Sequence, residues 1–154
     1  MSKPPVASSN PVFPPVATLV PHAAPMLLID RILSANDDGM TAEVTIGPDS
    51  LFYHHETGVP GYVGIEYIAQ TVSAYSGWRA RKTSPENGEK PKIGYLLGTR
   101  KMTITSDGFQ LGDRLEIAIL NIFEDGEMAV FDGTVYCNQQ VIVSARVNVY
   151  QPNT

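Results

Sequence analysis

The chain has few of the side chains that usually bind metals or form disulfides. It contains three histidines and one cysteine, Cys137, among 154 residues. A single cysteine excludes an internal disulfide and suits a reducing, cytoplasmic compartment. Because Cys137 lies in an apolar strand pattern, we interpret it as a small buried hydrophobe. The histidines and the cysteine have none of the spacings typical of metal sites, so we predict that no metal ion is bound.

Long apolar runs and an excess of positive charge are also missing. No apolar run approaches the roughly 20 residues that span a bilayer, and residues 1–15 lack the apolar stretch of a signal peptide. The net charge of −5 argues against a nucleic-acid-binding protein. The motifs of phosphate-binding loops and of serine nucleophiles are absent as well. We therefore predict a globular protein with neither a membrane nor a nucleic acid among its partners.

Proline divides the chain into two parts. Seven of the twelve prolines fall at or before Pro25, and proline lacks the N–H donor that a helix or a central strand needs. We predict a flexible arm over residues 1–17 and a single domain over residues 18–154, a length that allows a full core.

The rest of the chain alternates between strand and helix patterns. Strands are predicted at 26–35, 40–46, 93–105, 111–123, 128–137 and 140–150, with one long helix at 62–82. A helix that is apolar on most sides needs to be wrapped. The order therefore predicts an α+β fold in which a curved antiparallel sheet surrounds one central helix. Segment 111–123 is apolar on both faces, so we expect the helix on one side and loops or a partner subunit on the other.

The start of the predicted helix holds the most informative residue. Glu66 follows the turn at Pro60-Gly61, and its neighbours in sequence are mostly apolar. An ionised carboxylate in such surroundings loses solvation unless another group compensates. Glu66 is therefore either a functional acid or a buried structural acid bonded to a tyrosine or a backbone donor. We assign Tyr62 and Tyr67 to packing.

Two stretches of the sequence resemble a known family. Residues 19–31, LVPHAAPMLLIDR, and the helix entry from Pro60-Gly61 through Glu66 to Ala69-Gln70 are similar to those of the hot-dog-fold 3-hydroxyacyl-acyl-carrier-protein dehydratases. Segments 94–98 and 147–150 look like the divergent branch of that family found in aryl-polyene pathways. The resemblance implies a hot-dog fold and a hydro-lyase that converts a 3-hydroxyacyl thioester to the trans-2-enoyl thioester in fatty-acid or polyene biosynthesis.

The histidine of that family is not at its usual place. Phe52 stands where the resemblance puts the histidine of a Gly-His-Phe-Pro-Gly loop, and His54 and His55 follow two and three residues later. In the aryl-polyene branch a histidine in the turn before the first strand looks like the replacement, which here is His22. The resemblance implies that His22 and Glu66 are the catalytic pair. His55 or His54 remains an alternative base, and His22 could instead bond a turn.

The expected reaction needs two proton transfers and a site for negative charge. Imidazole suits removal of the proton beside the thioester carbonyl, and a carboxyl group with a raised pKa suits protonation of the leaving hydroxyl. The Gly61 N–H, at a helix N-terminus, is the candidate oxyanion donor. Gln70, one turn after Glu66, could orient Glu66 or a water, or could make a plain polar contact inside the helix. No cofactor is expected, because the substrate is carried on the phosphopantetheine of acyl carrier protein or coenzyme A.

The resemblance also implies a partner subunit. We expect a homodimer whose sheets join edge to edge, with His22 of one subunit facing Glu66 of the other, or a heterodimer with a paralogous dehydratase. An acidic carrier protein could be steered by a cluster of basic residues, although a solvated loop and strand edge would explain the cluster as well. The cluster comprises Arg79, Arg81, Lys82, Lys90, Lys92, Arg100 and Lys101. The rival functions are a hot-dog acyl thioesterase and a non-catalytic acyl-binding subunit.

Overall fold

The computed structural model describes residues 13–16, 28–83 and 95–150 of one chain. Eight strands and one long helix occur in these ranges. The strands are β1 (Arg31–Asn36), β2 (Gly39–Thr45), β3 (Val59–Pro60), β4 (Tyr95–Ile104), β5 (Gly108–Phe109), β6 (Arg114–Asp125), β7 (Met128–Cys137) and β8 (Gln140–Tyr150). A 3₁₀ turn (Gly61–Val63) leads into helix α1 (Gly64–Thr83).

The six longer strands form one antiparallel sheet in the order β1-β2-β6-β7-β8-β4. Helix α1 packs against β2, β6, β7 and β8 from one side. This confirms the predicted α+β architecture of a sheet around one helix. β3 and β5 pair with each other and make a separate two-stranded sheet. Neither strand was predicted, because two residues are too few to show a strand period.

Helix and sheet approach each other closely through glycine. A Cβ on Gly133 of β7 would lie 2.4 Å from Cγ2 of Ile68, so only glycine leaves room for that side chain. Ile68 is completely buried, and Tyr75, one helical turn below Thr71, meets Phe131 of β7 edge to face at 5.7 Å between ring centroids. The core therefore lies between α1 and the concave face of the sheet.

The strands differ from the sequence prediction in two places. In β6 the inward residues Leu115, Ile117 and Ile119 are buried as predicted, whereas Leu120 and Ile122 on the outer face are exposed. No loop within the described residues covers the outer face there. The first strand begins at Arg31 rather than at 26: residues 28–30 are not in a strand, and residues 26–27 lie outside the described ranges.

The predicted flexible arm of residues 1–17 needs a correction at its end. Val16 is 5% exposed and belongs to the core, and Phe13 packs against the same core. Both are apolar, so burying them stabilises the packing of residues 13–16 on the domain. Residues 1–12 and 17 lie outside the described ranges. Among the helices of the described residues, none is long and apolar enough to span a membrane.

Candidate active site

The helix entry is held by the small sheet of β3 and β5. The Gly61 N–H donates to the carbonyl oxygen of Asp107 at 3.1 Å. A Cβ on Gly61 would lie 2.7 Å from the carbonyl oxygen of Ser106 and 2.9 Å from Cγ2 of Ile104. Glycine at this position therefore lets the start of the helix pack against the β4–β5 connection.

This contact corrects the role predicted for the Gly61 amide. Its N–H is already occupied by Asp107, so it is not available to an oxyanion. The N–H of Tyr62 follows directly, and no described residue accepts a hydrogen bond from it. Because the first amides of a helix lack intrahelical acceptors, Tyr62 rather than Gly61 presents a free donor at this turn.

Glu66 lies on a face of α1 that the sheet leaves open. It is the one exposed residue from Gly64 to Arg79. Tyr62, four residues earlier, is 63% exposed, and the half-buried Ala69 and Ser73 continue the same face. We call Tyr62, Glu66, Ala69 and Ser73 the open face. The apolar residues near Glu66 in sequence point to other sides of the helix, so they do not bury it; burial of this carboxylate requires a second molecule.

Gln70 is placed differently from the prediction. It is 4% exposed, and its Oε1 accepts a hydrogen bond from the Leu28 N–H at 2.7 Å. The Gln70 side chain therefore anchors the segment that precedes β1 to the helix, one turn after Glu66. His22 belongs to the part of the chain outside the described ranges, six residues before Leu28. Gln70 thus positions the entry to β1 at Leu28.

The alternative histidines lie in the loop before β3. The His54 backbone pairs with Gly58 through two hydrogen bonds, of 3.0 and 2.7 Å, and its side chain is exposed. The His55 imidazole is 88% exposed, with Nε2 3.7 Å from Oε1 of Glu56. Within the described residues, no hydrogen bond or ion pair joins either imidazole to Glu66.

Two members of the predicted basic cluster already have acidic partners. Arg79 bonds Glu124 at 2.7 Å and lies over the ring of Tyr75; the Glu124 hydrogen bond raises the pKa of the guanidinium. Lys82 bonds Asp37 at 3.0 Å. Arg81, Arg100 and Lys101 are exposed, and Lys90 and Lys92 lie outside the described ranges. Two of the seven predicted residues are therefore already paired within the chain.

A cleft beside the helix was not predicted. About 380 Å³ in volume, it lies between the start of α1, the end of β2 and the loop after β2. We call it the Tyr67 cleft; its lining includes Leu28, Asp30, Val44, Asp49, Leu51 and Tyr67. Tyr67 is 2% exposed, and its hydroxyl has no hydrogen-bond partner among the described residues. Burial, followed by the nearby Asp30 carboxylate, raises the pKa of Tyr67 to about 12. From the sequence, Tyr67 was assigned only to packing.

Comparison with known proteins places the chain in a family. The model of the family "ApeP-like: ApeP dehydratase" matches residues 14–154. The 3-hydroxyacyl-[acyl-carrier-protein] dehydratase FabZ of Bradyrhizobium diazoefficiens is 30% identical over 133 residues, which cover 83% of each chain. FabZ of Sulfurimonas denitrificans is 25% identical over 137 residues, 86% of this chain and 91% of that one.

A solved structure agrees over nearly the whole chain. It is the dehydratase heterocomplex ApeI:P from Xenorhabdus doucetiae, one chain of which is 32% identical with a TM-score of 0.83 and 92% and 93% coverage. This match confirms the predicted hot-dog fold, and the family match confirms the resemblance drawn from the two sequence stretches. The chain belongs to the ApeP-like family of hot-dog dehydratases.

Proposed function

We propose that the protein removes water from a 3-hydroxyacyl thioester carried on an acyl carrier protein, giving the trans-2-enoyl thioester. Family membership and the FabZ relatives support the reaction. The observation that carries the assignment to this site is the position of Glu66. It is the single carboxylate on the open face of α1, in the segment that resembles the acid segment of the family.

In this proposal the chain supplies an acid and an oxyanion donor. Glu66 protonates the leaving hydroxyl, and the Tyr62 N–H stabilises the charge on the thioester oxygen. Gly61 contributes by keeping the turn close to Asp107 rather than by donating its own N–H. The base is His22, which takes the proton beside the carbonyl. The hydrogen bond from the Leu28 N–H to Gln70 supports this role, because it fixes the chain six residues after His22 to helix α1 of its own subunit. His22 then serves Glu66 of the other subunit.

The site is complete only with a second hot-dog subunit. The small side chains of Ala69 and Ser73 let another backbone approach beside Glu66, and β4 is an edge strand with exposed Met102 and Ile104. An unpaired edge of this kind is suited to pairing with another sheet. The ApeI:P heterocomplex supports a paralogous dehydratase as that subunit, alongside a second copy of this chain.

The test is turnover of one 3-hydroxyacyl thioester by the assembled protein. We expect enoyl absorbance to appear and Glu66→Gln to lower kcat by about 10²- to 10⁴-fold. Glu116→Gln, the same change on the outer face of β6, should leave kcat within about twofold. Release of free thiol without enoyl product would indicate a thioesterase instead, and full activity of Glu66→Gln would exclude catalysis at this site.

The identity of the base needs its own comparison. We expect His22→Ala to abolish dehydration, because no other group would remove the proton beside the carbonyl. His55→Ala, and likewise His54→Ala, should only weaken it, since both side chains are exposed in the loop. If a loop variant abolished dehydration and His22→Ala only weakened it, the base would be in that loop.

A further inference from the structure

A row of charged side chains crosses the outer face of the sheet and ends at the edge strand β4. Arg100 of β4 lies opposite Arg146 of β8, which in turn lies opposite Asp132 of β7. Arg146 donates two hydrogen bonds to the Asp132 carboxylate, of 2.8 and 3.1 Å. Residues directly opposite each other on one face of a sheet interact, and like charges there are unfavourable. The row therefore holds one carboxylate and two guanidinium groups, with Arg100 outermost.

Lys101 adds a second positive charge at the same edge. The register between β4 and β8 shifts between Arg100 and Thr103, so Lys101 lies in a β-bulge. Its φ of +53° falls in the left-handed region that favours glycine. The hydrogen bonds from Arg146 lower the pKa of Asp132, and the charge of Lys101 lowers it further. The ammonium group therefore acts on the outer face, beside the charged row, although its backbone conformation is unfavourable for lysine.

The opposite edge of the sheet is neutralised within the chain. β1 is the other end strand, and its Arg31 lies opposite Glu43 of β2, to whose carboxylate it donates at 3.0 Å. Both Arg100 and Lys101 are exposed, and no described carboxylate forms an ion pair with either of them. Of the two edges of the described sheet, β4 is thus the one whose outermost cations have no acid beside them.

A second copy of this chain would bring more positive charge to that edge. β4 (Tyr95–Ile104) contains Arg100 and Lys101 and no acidic residue. If two copies paired antiparallel along the whole strand, the two-fold axis would pass between Thr99 and Arg100. Two cations from each copy would then meet across strands about 4.8 Å apart. A lysine at a bulge in an edge strand is one of the ways in which proteins prevent unwanted pairing of sheets.

We propose that Arg100 and Lys101 select the second subunit: they repel another copy of this chain and pair with carboxylates on the edge strand of a different hot-dog subunit. The inference rests on the proposed function only because the site there needs a second subunit at β4. An acidic strand would neutralise both cations and would also bond the open backbone groups of the edge. An acidic carrier protein could neutralise the cations but would leave that edge unpaired. Discrimination then comes from repulsion of the wrong partner as well as attraction of the right one.

The first test uses the chain as its own partner. Arg100→Glu combined with Lys101→Glu reverses both charges, so an equimolar mixture with the wild type brings opposite charges together at β4. We expect each protein alone to be monomeric and the mixture to form a 1:1 pair, with a Kd about 10- to 100-fold below that of wild-type self-pairing. Native mass spectrometry distinguishes the mixed pair by its mass. Stable wild-type dimers, or a mixture that stays monomeric, would overturn the proposal.

Two further variants control for position and for folding. Arg81→Glu makes the same reversal at an exposed residue in the last turn of α1 and should form no pair with the wild type. Arg100→Gln combined with Lys101→Gln removes the repulsion without adding charge and should self-associate more tightly than the wild type. Because ions screen exposed charges, salt should weaken the mixed pair and strengthen wild-type self-pairing. A neutral variant that pairs no better, or the same salt response in both cases, would contradict selection by charge.

Failure of this inference can be separated from failure of the proposed reaction, because pairing is measured without substrate. A wild-type homodimer that gives enoyl product would leave the reaction in place and reject selection by Arg100 and Lys101. Pairing that depends on these charges, in a mixture that forms no enoyl product, would support the selection and reject the reaction. If the reversed variant loses binding to an acidic carrier protein while the mixture forms no pair, the two cations serve the carrier and the inference is wrong.

Discussion

The two sides of helix α1 contrast sharply. On the closed side, Ile68 and Tyr75 are fully covered by the sheet of the same chain. On the open face, Glu66 is exposed and Ala69 and Ser73 are half-buried. The closed side is complete in one subunit and gives stability, whereas in the proposed site the open face bears the acid and is completed by a second subunit. Stability and activity should therefore respond to different substitutions on neighbouring residues of one helix.

The largest effect should come from a bulky charge on the open face. Ala69→Arg would bury an unpaired guanidinium against the second subunit, at a cost of roughly 3–5 kcal/mol in association. We expect loss of the dimer and of dehydration, with the thermal midpoint of the isolated chain nearly unchanged. Size-exclusion chromatography measures the dimer, and enoyl absorbance measures dehydration. Thr134→Arg on the outer face of β7 is the control; a dimer that survives Ala69→Arg contradicts an interface at this face.

A loss of comparable size, in the free energy of unfolding, is expected at Ile68, the residue before Ala69. Ile68→Ala removes a fully buried side chain that fills the space above Gly133 and should lower the free energy of unfolding by about 2–5 kcal/mol. Urea denaturation of the single chain measures the difference. Ala69→Ser, one residue further, should change it by less than about 0.5 kcal/mol. Similar effects at positions 68 and 69 would mean that the two sides of the helix are not distinct.

Periodicity predicted the closed side well and the open face poorly. The strands at 128–137 and 140–150 have the predicted bounds, because their inward residues alternate cleanly. Glu66 was identified, but its exposure was not, since a run of apolar neighbours does not reveal which side of the helix faces the sheet. The Gly61 amide was predicted as an oxyanion donor, and a role in orienting Glu66 was left open for Gln70. Their partners, Asp107 and Leu28, are more than 40 residues away in sequence. Contacts over that separation leave no local pattern.

A smaller effect should appear only at high pH. Burial raises the Tyr67 pKa from 10.0 to about 12, so the folded state favours the neutral phenol. That stabilisation is fully present below pH 10 and is lost as pH rises toward 12, by at most roughly 2.7 kcal/mol. Tyr67→Phe, which removes a hydroxyl that bonds none of the described residues, should be near neutral at pH 8 and should lose less stability than the wild type above pH 10. Parallel curves for the two proteins would contradict burial of this phenol.

The smallest effect is expected where helix α1 ends, beyond both faces. Lys82 bonds Asp37 at 3.0 Å and lies 5.1 Å from the ring centroid of Trp78, yet the Lys82 and Asp37 side chains are 55% and 79% exposed. An exposed pair of this kind contributes about 0.2–1 kcal/mol. A double-mutant cycle of Lys82→Gln and Asp37→Asn should give a coupling energy in that range at low salt. Because ions screen exposed charges, the coupling should nearly vanish at high salt; a coupling that survives there would show that the end of the helix is as well enclosed as its closed side.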